Sequence, residues 1–226
     1  MRDLPSAMAL LQYGDSFFPS GAVSFSWGLE ALVSEGRLIS FADARGFISG
    51  QLHGRWASFD LPVVIAAHRA NSDLGAVASI DEQVEVHTAM AELRSASRRL
   101  GEAMLAVFGR LGLEVATTYR AQVKIGAAHG HLAVMQGFLW ASAGHDEQAA
   151  LALSAHTFCT GLAGAAVRLG CLSHFDAQRI LSGIAAEVCE IASRPIPPLD
   201  RLNSCTVEAE IAIIRNASQP GRLFAT

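Results

Sequence analysis

The stretch IDEQVEVHTAMAELRSASRRLGEAMLAVFGRL, residues 80–111, decides the fold class of this chain. Mostly apolar side chains recur along it in steps of three and four residues, the spacing of one face of an α-helix. The stripe consists of Ile80, Val84, His87, Met90, Leu93, Ser97, Leu100, Met104, Val107 and Leu111, and the residues off it include Glu85, Glu92, Arg99 and Glu102. The pattern predicts one long amphipathic helix over this stretch.

The same helical spacing continues outward, through residues 41–69 before the stretch and 175–191 after it. Between the quoted stretch and residues 175–191 lie two uncharged runs, residues 125–145 and 148–167, each about as long as a membrane span. Both runs contain polar residues and no Lys/Arg cluster separates them, so we expect buried helices of a bundle rather than membrane helices. Apolar and polar residues alternate nowhere for more than about five residues, the pattern a strand would need. The sequence therefore predicts an all-α fold.

The chain is predicted to form one all-helical domain, residues 1–198, followed by a tail, residues 199–226. Three prolines in the segment SRPIPPLDRLNS at the junction cannot continue a helix. We expect an extended, flexible tail that is not part of the core, carries an apolar patch and docks a partner.

The composition excludes several classes of protein. Apolar residues make up 51% of the 226 residues, too many for a disordered chain, and part of this apolar surface is expected to be covered by protein partners. The 17 basic residues are outnumbered by 21 acidic ones, which argues against nucleic-acid binding. The four cysteines form no C-x-x-C pair, and the N-terminus lacks a signal-peptide pattern. We therefore expect a cytoplasmic protein.

The motifs of common enzymes are absent from the sequence. It contains no G-x-S-x-G, no Walker-type G-K-[ST] and no G-x-G-x-x-G, and no carboxylates face each other on an apolar stripe. His129 and His131 are two residues apart and suit helix-end hydrogen bonds better than metal chelation. The run His145 to Glu147 suits a solvated turn better than a metal site. We expect no catalytic, cofactor or metal residue, although a helical metal-dependent enzyme with His87, His129 or His156 as ligands stays an alternative.

The stretch FPSGAVSFSWGLEALV, residues 18–33, changes from a Pro- and Gly-containing segment into a helical pattern. Ser24 or Ser26 can cap this helix, so the stretch is predicted to be a turn and N-cap whose exposed part makes contacts. Arg168 follows about twenty uncharged residues, and two interpretations stay open for it. It either ends a helix or is a partly buried charge that pairs across an interface.

Four segments in order resemble the UreF family of urease accessory proteins, nearly end to end: FPSGAVSFSWGLE at 18–30, LRSASRRLGEAML at 93–105, AAVRLGCLSHFDAQRIL at 165–181 and RLFAT at 222–226. The resemblance implies a non-enzymatic all-α homodimer. It also implies three partners: the D/H-type accessory protein UreD/UreH, the G-type GTPase UreG, and apo-urease, which receives nickel. A helical scaffold unrelated to nickel is the further alternative.

The resemblance also implies partner-binding residues. They are Pro19, Gly21, Ser24, Phe25, Gly28 and Glu30 in the first segment, Arg168 in the third, and Arg215, Arg222, Leu223 and Phe224 in the tail. Asn216 and Ala217 stand where the family usually has His and Glu. The tail is therefore expected either to dock with fewer polar contacts or to have a different partner.

Overall fold

The computed structural model describes residues 4–19, 25–38, 40–71, 73–217 and 223–224. Over these residues the chain forms α-helices and contains no β-strand, which confirms the all-α prediction. The helices are α1 (Leu4–Gly14), α2 (Leu29–Ser34), α3 (Phe41–Gln51), α4 (Leu61–Ala70), α5 (Leu74–His87), α6 (Ala91–Arg110), α7 (Glu114–Lys124), α8 (Leu132–Ser142), α9 (Glu147–Arg168), α10 (His174–Ala192) and α11 (Val207–Ala217). A π-helical segment, Leu52–Asp60, joins α3 to α4, and a 3-10 turn, Leu199–Arg201, lies between α10 and α11.

Short polar side chains begin several of these helices. Ser40 and Asp43 form a reciprocal capping box at the start of α3. Asp73, Asp146 and Ser173 each accept a hydrogen bond from the backbone N–H three residues later, at the starts of α5, α9 and α10. These bonds satisfy N–H groups that have no partner within the helix.

The single helix predicted over residues 80–111 is wrong, because the chain leaves the helical path between α5 and α6. The Thr88 hydroxyl donates to the Val84 carbonyl at 2.7 Å, and the backbone of Thr88 is extended. The guanidinium of Arg94 then donates to the carbonyls of Thr88 and Ala89, which replaces the missing helical hydrogen bonds. The apolar spacing continues across the break, so the pattern alone did not reveal it.

The middle of the bundle depends on two close approaches between helices. A Cβ atom on Gly137 in α8 would overlap the carbonyl oxygen of Val64 in α4, and one on Gly101 in α6 would overlap that of Gly130. Glycine at these positions lets α8 and the loop before it lie directly against α4 and α6.

Two large apolar clusters flank this centre. The first cluster is built mainly from α2, α3, α9 and α10, and the second cluster mainly from α4 to α8. Helix α9 contributes to both, and it is the one helix in the described part of the chain that is long and apolar enough to cross a membrane. Half of its most apolar window is buried inside the protein. The run 148–167 is thus the predicted helix, whereas 125–145 supplies only α8 and the loop before it.

The expectation that the tail is not part of the core is wrong for the described part of it. Residues 195–198 have no regular structure, as the prolines predict, but α11 packs against α2. Ala209, Ala212 and Ile213 are buried there, and Phe224 is buried in the first cluster. These spacings of three and four residues are the inner face of a short amphipathic helix.

Candidate partner-docking site

The site is built around the turn that begins α2. Trp27 and Gly28 have positive φ angles of 55° and 84°, and Gly28 is the N-cap of the helix. A Cβ atom on Gly28 would lie 2.6 Å from the carbonyl oxygen of Ala209, so this glycine allows α11 to approach closely. The predicted turn leading into a helix is therefore present, but the predicted serine N-cap is wrong, because Gly28 occupies the N-cap position. Ser26 is buried, and its hydroxyl lies 3.5 Å from the backbone nitrogen of Glu30, in the first turn of α2.

The carboxylate of Glu30 connects α2 to the C-terminal segment. It accepts hydrogen bonds from the side-chain amide of Asn216 at 3.1 Å and from the backbone N–H groups of Leu223 at 2.5 Å and Phe224 at 3.2 Å. Asn216 is fully buried, so the residue that replaces the family's usual His makes an internal contact. Each of these three hydrogen bonds to an ionised carboxylate is stronger than a hydrogen bond between neutral groups.

Arg168 reaches the same segment from the end of α9. Its guanidinium carbon lies 4.6 Å from the centroid of the Phe224 ring, a cation–π distance, and its Nε donates to the carbonyl of Gly164 at 3.2 Å. Partial burial lowers the pKa of Arg168 from its usual value. The first interpretation is confirmed, because Arg168 ends α9, and its charge lies over an aromatic ring of the same chain. Pairing of Arg168 across an interface stays a prediction.

Ion pairs surround the contact between α2 and α11. Arg215 lies 3.3 Å from Glu35, and Arg37 lies 2.5 Å from Glu208. All four side chains are partly or largely exposed, so each pair contributes at most about 1 kcal/mol to stability. Arg215 was predicted to contact a partner, and here it pairs with Glu35, the residue after α2.

The outer face of α11 remains uncovered and apolar. Val207, Ile211 and Ile214 follow each other in steps of four and three residues, with exposed fractions of 60, 42 and 58%. Leu223 is 66% exposed, whereas Phe224 next to it is 3% exposed. We call Val207, Ile211, Ile214 and Leu223 the outer stripe. Exposed apolar side chains grouped on one helix face, as Val207, Ile211 and Ile214 are, are typical of a protein interface.

Among the described residues, the predicted site residue Phe25 does not join this group. Phe25 lies in a separate small cluster with Ala96 and Leu100, beneath the guanidinium of Arg99. Pro19 is exposed. Gly21, Ser24 and Arg222 lie outside the described residues.

The sequence reasoning missed Asp81, a buried side chain on α5 that accepts four hydrogen bonds. This buried carboxylate accepts from the backbone N–H groups of His129, Gly130 and His131 at 2.6–2.9 Å and from the hydroxyl of Tyr119 at 3.0 Å. Its negative charge also helps to raise the pKa of Tyr119, after burial. Asp81 shares the inner face of α5 with Val77 and Val84, and an acidic residue on an apolar face was the available signal.

The two histidines of this loop hydrogen-bond to carboxylates. His129 donates to Glu82 at 2.8 Å, and the buried His131 donates to Glu85 at 2.9 Å. Burial lowers the pKa of His131, although Asp81 and Glu85 oppose this effect. For Glu85, burial raises the pKa, but the hydrogen bonds from Arg98 and His131 outweigh it and the pKa is lowered.

The remaining candidate ligands are held in unrelated contacts. His87 donates to the Gln83 carbonyl and His156 to the Gly14 carbonyl. In the run from His145 to Glu147, the first residue accepts at its carbonyl from His68, the second caps α9 and the third pairs with Arg69. In the described part of the chain, no group of three or more His, Cys, Asp or Glu side chains is arranged to hold a metal ion.

Comparison with known proteins shows the family. The sequence model of the UreF family matches residues 40–185, which includes neither Glu30 nor the tail. Full-length relatives extend the similarity to both ends. The urease accessory protein UreF of Trichodesmium erythraeum is 32% identical over 99% of this chain and 98% of its own length, and that of Rhizobium leguminosarum bv. viciae is 29% identical over 99% and 97%. The chain belongs to the UreF family of urease accessory proteins.

Proposed function

We propose that this protein is a non-enzymatic adaptor in urease maturation. It bridges the D/H-type accessory protein and the G-type GTPase while nickel is inserted into apo-urease. The observation that carries this proposal is the outer stripe, an exposed apolar face on a tail that the body holds in position. Membership of a family of urease accessory proteins supports the urease pathway.

The outer stripe is the proposed docking surface for the D/H-type partner. Leu223 contributes to it, whereas Phe224 anchors the segment to the body, so the two neighbours have different roles. Aliphatic side chains that become fully buried in an interface can supply much of its binding free energy.

The test replaces Ile211 and Ile214 together by Ser and measures the affinity for the D/H-type accessory protein by calorimetry. The matched control is Phe175→Ser, because Phe175 is an exposed apolar residue on α10, at 83%. We expect at least a tenfold loss of affinity for the double variant and none for the control, with unchanged melting temperatures. Equal affinities for the double variant and the unmodified protein would exclude the outer stripe as the docking surface.

The bridging role has its own test. Size-exclusion chromatography with light scattering is applied to the chain mixed with the D/H-type protein, the GTPase, or both. We expect the GTPase to elute in a ternary complex with the other two proteins. Independent elution of the GTPase in all mixtures would exclude the bridging role and favour a scaffold that does not bind the GTPase.

We further propose that the protein acts in the cytoplasm as a homodimer. Leu4, Met8 and Leu11 form a second exposed apolar stripe, on α1, at 75, 58 and 69% exposure. The spacing of four and three residues gives one continuous face that a second copy can cover. Light scattering of the isolated chain is expected to give the mass of two chains, and Met8→Asp to give one. A monomeric unmodified protein would contradict this proposal.

A further inference from the structure

The π-helical segment Leu52–Asp60 is nine residues long. π-Helices are usually single turns and are frequent at functional sites. The inner side of this segment is occupied by buried residues, among them Trp56, whose indole N–H donates to Ser154. Residues 202–206, which have no regular secondary structure and lead into α11, lie against its outer side, and we call them the strap.

Backbone hydrogen bonds attach the strap to this segment. The N–H of Cys205 donates to the carbonyl of Gly54 at 2.9 Å, and that of Asn203 donates to the carbonyl of Ser58 at 3.3 Å. The Ser58 hydroxyl lies 2.9 Å from the Asn203 carbonyl oxygen.

Gly54 is the position where the two backbones come closest. A Cβ atom there would lie 2.7 Å from the carbonyl oxygen of Cys205 and 3.1 Å from a methyl group of Thr206. At Gly50, one turn earlier, a Cβ atom would meet nothing within 4 Å. Contact with the strap therefore requires the absence of a side chain at Gly54 but not at Gly50.

The strap is also connected to both of its neighbours. Leu202 at its beginning is buried in the second apolar cluster. Towards its end, the hydroxyls of Ser204 and Thr206 donate to the carboxylate of Glu210 in the first turn of α11, at 3.0 and 3.3 Å. The strap is thus attached to the rest of the protein at its beginning, in its middle and at the start of α11.

We propose that the strap, seated on Gly54 and Ser58, presets α11 on the body, so that a partner meets a preformed helix. The partner surface that fits is an apolar groove that receives Val207, Ile211 and Ile214. The identity of this partner rests on the proposed function, whereas the presetting of α11 does not. The inference differs from the expectation of an extended, flexible tail.

Gly54→Ala tests the strap, with Gly50→Ala as the matched control. Alanine has the higher helix propensity, so both substitutions would slow hydrogen exchange or leave it unchanged if the strap contact were unimportant. We expect Gly54→Ala to speed the amide exchange of residues 207–217 at least tenfold, while α8 and α9 stay protected. Gly50→Ala is expected to leave exchange in α11 as in the unmodified protein. Unchanged or slower exchange of α11 in Gly54→Ala would overturn the proposal.

A milder variant covers the case in which Gly54→Ala does not fold. Ser58→Ala removes only the hydroxyl, and we expect a threefold or greater increase in the exchange rate of α11. No increase in this variant would likewise overturn the proposal.

Binding then separates the strap from the proposed function. If the D/H-type protein binds the unmodified chain, Gly54→Ala is expected to lower its affinity at least tenfold, because α11 must then be ordered on binding. Equal affinity would overturn the preset docking helix. If the unmodified chain does not bind this protein, the proposed function fails. The hydrogen-exchange data still show whether the strap presets α11.

Discussion

The side chain of Glu30 accepts a hydrogen bond from the backbone N–H of Phe224 at 3.2 Å, although 194 residues separate the two in sequence. This contact joins the first turn of α2 to the C-terminal segment, and the guanidinium of Arg168 lies over the Phe224 ring. The residues that the family resemblance assigns to partner binding thus include several that hold the tail on the body.

Replacement of Glu30 by Gln is expected to loosen this closure. The amide retains one acceptor oxygen but turns an NH₂ group towards N–H donors, so we expect a loss of about 1–3 kcal/mol of unfolding free energy. Denaturant unfolding measures the loss, and hydrogen exchange at Phe224 localises it. Glu35→Gln is the control, because it removes only the partly exposed pairs with Arg215 and Arg37 and should cost at most about 1 kcal/mol. Equal effects of the two substitutions would contradict the role of Glu30.

Leu223 and Phe224 are expected to give opposite results. Phe224→Ala leaves a cavity in the first cluster and should lower the unfolding free energy by about 3 kcal/mol. Leu223→Ala should change stability by less than about 0.5 kcal/mol but lower the affinity for the D/H-type partner about tenfold. Denaturant unfolding and calorimetry test the pair, and the reverse ranking would be inconsistent with the assigned roles.

Replacement of Asp81 by Asn should destabilise the loop before α8. A neutral amide cannot accept three backbone N–H groups and the Tyr119 hydroxyl as the carboxylate does, so we expect a loss on the order of 3 kcal/mol. Thermal unfolding measures this loss. Asp73→Asn is the control, because asparagine caps a helix about as well as aspartate. A loss below about 1 kcal/mol in Asp81→Asn would refute this account of the loop.

Stability is expected to fall as the pH decreases below about 6.5, the ordinary pKa of histidine. Burial lowers the pKa of His131, so the unfolded chain binds a proton that the folded chain excludes, and acid therefore favours unfolding. Glu85, with its lowered pKa, adds a second loss below its ordinary pKa of 4.5. Urea unfolding at a series of pH values should show both phases.

His131→Gln should remove the first of these two phases. Glutamine can still donate to Glu85 but does not titrate in this range. The control His129→Gln should retain both phases, because His129 is the more exposed histidine of the loop. A pH dependence between 7 and 5 that survives in His131→Gln would assign the first phase to another group.

Several features of this protein were predictable from local spacing. The steps of three and four residues identified helical segments, and the uncharged run 148–167 corresponds to α9. The break between α5 and α6 was not predictable in this way, because the apolar stripe runs through it and the side chains of Thr88 and Arg94 bind the backbone carbonyls there. The π-helical segment also has no distinct spacing in the sequence.

The sequence by itself determined the all-α class, the helical periodicity and the membership of the UreF family, because these depend on residue order along the chain. The tertiary structure alone decided that Glu30 meets Asn216 and Phe224, that Leu223 and Phe224 face opposite ways, and that Gly54 lies under the strap. The physical reason is that these contacts join residues about 150 to 190 positions apart. Packing of the two apolar clusters, rather than any local preference, brings them within hydrogen-bond or van der Waals distance.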